Sequence, residues 1–216
     1  NRHLARGPRA RLLAENIRDL ALAVSGLLNP EIGGPSVKPY QPAGLWLESG
    51  TQHSYIQDKG DKLYRRSLYT FWRRTLPPPS MTIFDAPTRE YCTVRRSRTS
   101  TPLQALVLMN DPQFVEAARV LAESLVREFP DDPESRVRKA FRLLTSQQPT
   151  PEQLALLRDH LATEKSDHAK APDLARAFLE SNGESPIDTS LPLAEVAATT
   201  SLIRLLFGFS ETVMKP

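Results

Sequence analysis

The stretch "TPLQALVLMNDPQFVEAARVLAESLVREF" (residues 101–129) decides the fold class, because it contains two helix starts in close succession. Thr101 is followed by Pro102 and then by Gln104, the pattern of an N-terminal capping box with proline at the first helical position. Asp111 and Pro112 repeat the start. Each N-cap contributes about 1 kcal/mol, so these starts are well defined. The stretch therefore predicts two consecutive helices.

The same cap and proline pair recurs further along the chain, at Asp132-Pro133 and at Thr150-Pro151. The apolar spacing between these starts is helical. We therefore predict helices at about 112–129, 133–146, 151–164 and 172–181, a polar connector at 183–190, and a last helix over about 192–207 that ends at Gly208.

Upstream, residues 11–28 carry apolar side chains at helical spacing and predict another helix, which ends at Asn29 because Pro30 follows it. The fold class is therefore mainly α: a multi-helix domain with a long irregular Pro/Gly/Arg-rich central insertion and at most short strands. The chain begins with Asn1 rather than Met, and we expect residues 1–216 to be a single domain fragment. Its predicted parts are an N-terminal helix in 1–29, an irregular segment in 30–100 and a helical part in 101–216.

The irregular segment opens with "PEIGGPSVKPYQPAG" (30–44), whose four prolines and three glycines exclude a regular helix or a central strand. Within "DKLYRRSLYTFWRRTL" (61–76), aromatic and aliphatic residues fall on one helical face and predict a helix, ended by three prolines. Residues 80–98 are irregular, with short strands expected at "TIF" (82–84) and "YCTV" (91–94).

Charge is distributed unevenly along the chain, although the net charge is only +3. Residues 62–98 carry nine basic and two acidic groups, whereas residues 99–216 carry twelve basic and seventeen acidic groups. We therefore expect the basic middle to fold against the acidic C-terminal half. Arginine outnumbers lysine eight to one in residues 62–98, which favours internal pairing over nucleic-acid binding.

The densest cluster of reactive groups is "FDAPTREYCTVRR" (84–96). One interpretation is a site in which carboxylates act as acid and base while arginines hold an anion. The other, which we favour, is a network that satisfies a segment without ladder hydrogen bonds. The candidate ligand or network residues are Lys38, Tyr40, Trp46, Trp72, Asp85, Arg89, Glu90, Arg95 and Arg96.

Other chemistry has weak support in the sequence. Cys92 has no histidine near it and is expected to be a small buried hydrophobe. The histidines have no zinc-binding spacing, and no C-x-x-C-H haem-attachment motif is present, so we expect no metal and no cofactor in this segment. No apolar run reaches 18 residues, so no membrane span is expected either.

Five stretches together resemble the planctomycete-type domain of unknown function 1553. They are "NIRDLALAVSGLL" (16–28), "IGGPSVKPYQPAGLW" (32–46), "YIQDKGDKLYRRSLYTFWRRTLPPPSM" (55–81), "FDAPTREYCTVRRSRTSTPLQALVLMNDPQFVEAA" (84–118) and "AEVAA" (194–198). The chain departs from the family pattern at Thr199, where relatives place a tryptophan.

The resemblance implies the later part of a C-terminal module in large exported bacterial proteins, which commonly begin with a cytochrome c-like domain. It thus implies a periplasmic or otherwise exported location, haem c elsewhere in the parent protein, and other domains of that protein as partners. The family's activity is not established, so no catalytic residue is carried over and whether this segment is an enzyme stays open. Two hypotheses remain: a non-catalytic structural or interaction module, which we favour, and an accessory, substrate-facing domain of a cytochrome-linked redox system acting on extracellular carbohydrate.

Overall fold

The computed structural model describes His3 and residues 9–48 and 54–215. The regular elements of this part are short strands, ten α-helices and two 3₁₀ helices. In chain order they are β1 (Ala10–Arg11), α1 (Ala14–Ser25), α2 (Leu45–Glu48), the 3₁₀ helices Gly60–Tyr64 and Ser67–Tyr69, α3 (Pro79–Ile83), α4 (Pro102–Asn110), α5 (Pro112–Glu128), α6 (Pro133–Thr145), α7 (Pro151–Lys170), α8 (Pro172–Glu180), α9 (Leu193–Phe207), α10 (Ser210–Val213) and β2 (Met214–Lys215). The mainly α prediction is confirmed.

The predicted helix starts are confirmed by their cap geometry. The hydroxyls of Thr101 and Thr150 each accept a hydrogen bond from the backbone N–H three residues on, and the backbone N–H of each threonine donates to the glutamine side chain of that residue, so both form complete capping boxes. Asp111 and Asp132 cap α5 and α6 through their carboxylates. Gly208 follows the last residue of α9, as predicted. Local sequence thus determines where the helices of this half begin.

Helix α5 lies at the centre of the core. It packs against α9 on one side and α1 on another, and α7 packs on α9. Three alanines of α5 and two of α9 are fully buried, and such small side chains let two helices approach closely: Ala117, Ala118, Ala122, Ala197 and Ala198. Thr199 of α9 is also fully buried. The two chain ends meet at the antiparallel pair β1–β2.

The predicted helix at 61–76 is wrong. The segment forms two 3₁₀ helices and then mostly extended backbone, and bonds to a distant part of the chain accompany its few local ones. Val37 donates its N–H to the carbonyl of Tyr69 and accepts the N–H of Phe71, at 2.8 and 2.7 Å. Leu68, on the predicted buried face, is 73% exposed. Tertiary pairing with the 30–44 loop therefore replaces the helical bonds.

Two smaller predictions in the same region are also wrong. "TIF" is not a strand, because residues 79–83 form α3 after the prolines. Residues 91–94 form no strand and are exposed, and the lone Cys92 with them. Cys92 is therefore not a buried hydrophobe. Within the described part of the chain, no helix is both long and apolar enough to cross a membrane.

Candidate functional site

Asp85 lies in a hydrogen-bonded network with the buried Arg11, which precedes it by 74 residues in the sequence. Its Oδ2 accepts bonds from Arg11 Nη2 at 2.5 Å and from the backbone N–H of Thr99 at 2.7 Å. Arg11 also donates to the carbonyls of Phe84 and Thr99. Although burial opposes it, the hydrogen bonds from Thr99 and then from Arg11 lower the pKa of Asp85. Asp85 therefore stays ionised and holds residues 84–99 against β1.

The other charged residues of 84–96 form no ion pair with Asp85, although Arg95 and Arg96 line a pocket beside it. Arg96 donates to both carboxylate oxygens of Glu15 at 2.9 Å. Arg89 lies over the ring of Trp72, 4.5 Å from its centroid, and Trp72 donates its indole N–H to the carbonyl of Thr88. Glu90 and Arg95 are exposed. The stretch is thus a set of separate contacts.

Lys38 and Trp46 both contact the ring of Phe71. The ammonium of Lys38 lies 5.4 Å from the Phe71 centroid, and the Trp46 ring lies 6.0 Å from it. The backbone N–H of Lys38 donates to Asp58 Oδ2 at 2.7 Å. Trp46 is buried and also packs against the ring of Tyr55. These residues anchor the proline-rich loop.

Tyr40 belongs to a fourth network, centred on the buried carboxylate of Glu116. The hydroxyls of Tyr40 and Tyr64 donate to Glu116 at 2.9 and 2.8 Å. The backbone N–H groups of Glu184 and Ser185 each donate to Oε1 at 2.7 Å. Burial, and then the charge of Glu116, raises the pKa of both tyrosines, so both remain hydrogen-bond donors. Four donors satisfy this carboxylate, which joins α5 to the 183–190 connector.

Further charged residues on the same face of α5, about one helical turn apart, also attach this helix to the 183–190 connector. Arg119 is buried and donates to Glu123 at 2.8 Å and to the carbonyl of Ser185 at 2.7 Å. One turn further, Arg127 pairs with Asp188 at 2.5 Å. In the sequence, Glu116, Arg119, Glu123 and Arg127 are spaced three, four and four positions apart on an otherwise apolar helix. This spacing indicates a charged face, but none of the four residues was among our candidates. Their partners in the connector lie about 60 residues away and were not predictable from spacing.

Arg18 is a second residue that sequence reasoning missed. Its guanidinium is buried beneath α1 and donates to the carbonyls of Leu63 and Arg65 at 2.6 and 2.8 Å, and to Gln113 Oε1 at 2.7 Å. Burial lowers its pKa to about 10, opposed by the nearby Asp19 and Asp111. Burial also raises the pKa of Asp111, at the start of α5, to about 6.

The predicted pairing of the basic middle with the acidic C-terminal half is wrong. Among the described side chains, the ion pairs found for residues 62–98 go to the N-terminal part, through Arg11–Asp85 and Arg96–Glu15. The C-terminal acids instead pair with basic groups of their own half, as in Arg136–Glu195 at 2.6 Å. Positive charge therefore remains on the surface of the middle segment.

The nine candidate residues are thus divided among several separate contacts; Asp85, Arg95 and Arg96 share one pocket, and the other six do not line it. In residues 9–48 and 54–215, together with His3, no group of three or more His, Cys, Asp or Glu side chains is arranged to hold a metal ion. Chemically, the buried networks hold ionised and neutral groups in place and attach irregular chain to helices.

Comparison with known proteins gives a family but no further relative. No curated protein and no solved structure matches the chain at a significant level. A family model does match, over residues 1–161, which is about three quarters of the chain. The chain therefore belongs to the family described as PSD1, protein of unknown function (DUF1553).

Proposed function

We propose that this chain is a non-catalytic interaction module of a larger exported bacterial protein, in which other domains of that protein are its partners. The exported, multidomain setting comes from the resemblance described above. The interaction role rests on one structural observation, the outer face of α4.

Helix α4 is apolar on two faces, although only one of them is buried. Gln104 and Leu108 face the core. On the outer side, Leu103, Leu106 and Met109 are 53%, 56% and 39% exposed, and they follow one another at a spacing of three residues. A helix that is apolar all round is normally covered on all sides, and adjacent exposed apolar side chains mark interaction surfaces. The outer face of α4 is therefore the surface that we assign to a neighbouring domain.

The division of the candidate residues supports a non-catalytic role. A substrate-facing module would bring Asp85, Arg89 and Arg95 together with Trp46 or Trp72. Instead Arg89 covers Trp72, Trp46 is buried, and Asp85 is saturated by Arg11 and Thr99. These groups are engaged in holding the irregular segment, which favours the interaction module over the accessory domain of a carbohydrate-oxidising, cytochrome-linked system.

The test is binding between this chain and the remainder of the parent protein, produced separately and measured by titration calorimetry. Leu103→Ser combined with Leu106→Ser is expected to weaken the complex about tenfold or more, because each leucine loses roughly 1 kcal/mol or more of apolar burial. The matched control is Leu156→Ser with Leu174→Ser, two exposed leucines on α7 and α8, which should change the affinity less than about twofold. Circular dichroism verifies that each variant is folded.

Two results would contradict the proposal. One is the absence of any complex between the wild-type chain and the remainder of the protein. The other is turnover by the wild-type chain alone, seen as reduction of an electron-accepting dye when a sugar is added.

A further inference from the structure

A groove rich in arginine lies between β1 and the segment 94–100, next to the Asp85–Arg11 network. Its volume is about 990 Å³, and it is open to solvent along its length. The walls come from two parts of the chain far apart in sequence and from β2. Five of the lining residues are arginines: Arg9, Arg11, Arg95, Arg96 and Arg98.

Among the described side chains, two of these five arginines are neutralised by an ion pair. Arg11 pairs with Asp85, and Arg96 pairs with Glu15. Arg9, Arg95 and Arg98 are exposed and form no ion pair with any described residue. Within the described part of the chain, three positive charges in one groove therefore have no carboxylate partner.

The chemistry of the three free arginines indicates what they would bind. A guanidinium presents a planar fork of N–H donors that matches a carboxylate or phosphate in a bidentate manner. Like charges in one groove repel one another, and an anionic ligand removes that repulsion. The groove is therefore suited to a ligand with several anionic groups.

The backbone of the groove wall distinguishes between kinds of anionic ligand. Among the described residues, the peptide groups of residues 94–98 have no hydrogen-bond partner, so their N–H and C=O groups are available to a ligand. An extended polypeptide supplies complementary groups at matching intervals. Val94 and Met214 add apolar surface to the lining, which suits aliphatic side chains between the acids. The arginines, the available peptide groups and the apolar lining together fit a peptide.

A nucleic acid fits the lining less well. Single-stranded nucleic acid is normally held by aromatic side chains on which successive bases stack, in addition to positive charge. The groove lining contains no aromatic residue. The aromatic rings nearest in sequence, such as Tyr91, lie outside it.

We infer that this groove binds an extended acidic segment of polypeptide, in which Arg9, Arg95 and Arg98 pair with carboxylates and residues 94–98 pair with the peptide backbone. The inference goes beyond the proposed function, which concerns the apolar face of α4, and it adds a second surface of opposite character.

The experiment measures binding of a twelve-residue peptide of alternating Glu and Val to the chain by fluorescence anisotropy. Arg95→Gln with Arg98→Gln is expected to weaken binding about tenfold, because two exposed ion pairs are lost. The matched control removes the same charge elsewhere: Arg142→Gln with Arg176→Gln, both exposed and outside the groove, should change the affinity less than about twofold. Raising the salt concentration should weaken wild-type binding as well.

Two comparison ligands make the result decisive. A peptide with Gln in place of Glu should bind at least about tenfold more weakly if carboxylates are recognised. A single-stranded DNA twelve-mer that binds more tightly than the acidic peptide, with the same loss in Arg95→Gln/Arg98→Gln, would overturn the inference in favour of a nucleic acid. Equal loss of peptide binding in the groove and control variants would also overturn it. Either outcome leaves the calorimetric test of the α4 face unaffected.

Discussion

The irregular segment and the helical half use buried arginines differently. In the irregular segment, Arg65 donates to the carbonyls of Glu31, Gly33 and Pro35, and its guanidinium stacks 3.9 Å from the centroid of the Tyr69 ring. No carboxylate takes part. In the helical half, by contrast, the buried Arg136 pairs with Glu195 at 2.6 Å in addition to its bonds to carbonyls.

The difference follows from where backbone hydrogen bonds are made. A helix satisfies its own carbonyls except for those of its last turn, so a buried arginine between helices is available to a carboxylate. An irregular chain leaves its carbonyls without partners, and a buried carbonyl needs a donor. Arginine supplies several donors at once. Buried arginines should therefore be most important for stability where the chain is least regular.

The sharpest test of this comparison is Arg18→Ala. The substitution leaves the carbonyls of Leu63 and Arg65 and the Gln113 side chain without their donor. We expect a loss of about 3–5 kcal/mol in the free energy of unfolding, or a chain that does not fold. Chemical denaturation measures it, with the exposed Arg142→Ala as control. A loss below about 1 kcal/mol would contradict the role assigned to Arg18.

The second prediction is a graded series within 84–96. Asp85→Ala should cost about 3 kcal/mol because it leaves Arg11 buried without its carboxylate. Arg96→Ala breaks a half-exposed pair with Glu15 and should cost about 0.5 kcal/mol. Arg95→Ala should leave stability unchanged, since Arg95 is exposed and has no ion pair with a described residue. Denaturant midpoints give the order, and equal losses in all three would show that the stretch acts as one network.

The third prediction concerns the connector that joins the two kinds of region. Gly183 has a φ of +90°, and a Cβ there would overlap the carboxylate of Glu116. Gly183→Ala should therefore cost about 2–4 kcal/mol, from backbone strain and overpacking together. In Glu116→Ala the overlapping atoms are gone, so adding Gly183→Ala should cost markedly less. A double-mutant cycle by thermal or urea unfolding measures this, and strict additivity would count against the contact.

The fourth prediction is that the free energy of unfolding depends on pH through Asp111. This residue lies near Arg18, where the irregular and helical parts meet. The folded pKa of Asp111 is about 6, above its ordinary value of 3.8. Folded Asp111 thus binds a proton more readily than unfolded Asp111, so its contribution to stability is present below pH 4 and is lost as the pH rises to about 6. The free energy of unfolding should fall by about 1–3 kcal/mol over this interval relative to Asp111→Asn.

Asparagine retains a capping side chain at this position, so the comparison isolates the titration. Urea unfolding of both proteins between pH 4 and 7 measures it. Parallel stability curves would show that Asp111 does not titrate in this range.

The last prediction concerns a helix start in the regular half. Thr150→Ala removes the side chain that accepts the N–H of Gln153 at 3.2 Å. The loss should be about 1 kcal/mol, well below that of Arg18→Ala, since water replaces the exposed cap in part. Thermal unfolding measures the loss, and Thr150→Ser, which keeps the hydroxyl, is the control. If the loss equalled that at Arg18, the contrast between the two regions would fail.

The helical half and the irregular half also differ in how far the sequence determined them. Helix starts at residues 102, 112, 133 and 151 were predictable because each depends on a cap and a proline only a few residues apart. The irregular character of the 30–44 loop was predictable for a similar reason, since proline and glycine act on their own backbone.

Only the tertiary structure decided the path of residues 61–76 and the partners of the charged groups. The apolar spacing of 61–76 suits a helix, but Val37 and Arg18 take its backbone groups. Asp85 and Arg11 are 74 residues apart, and Tyr40 and Glu116 are 76 apart. Local sequence determines bonds within a turn of chain, whereas long-range bonds depend on which surfaces the packed core brings together. Local sequence thus determined the capped helix starts, and long-range contacts decided where the candidate residues lie.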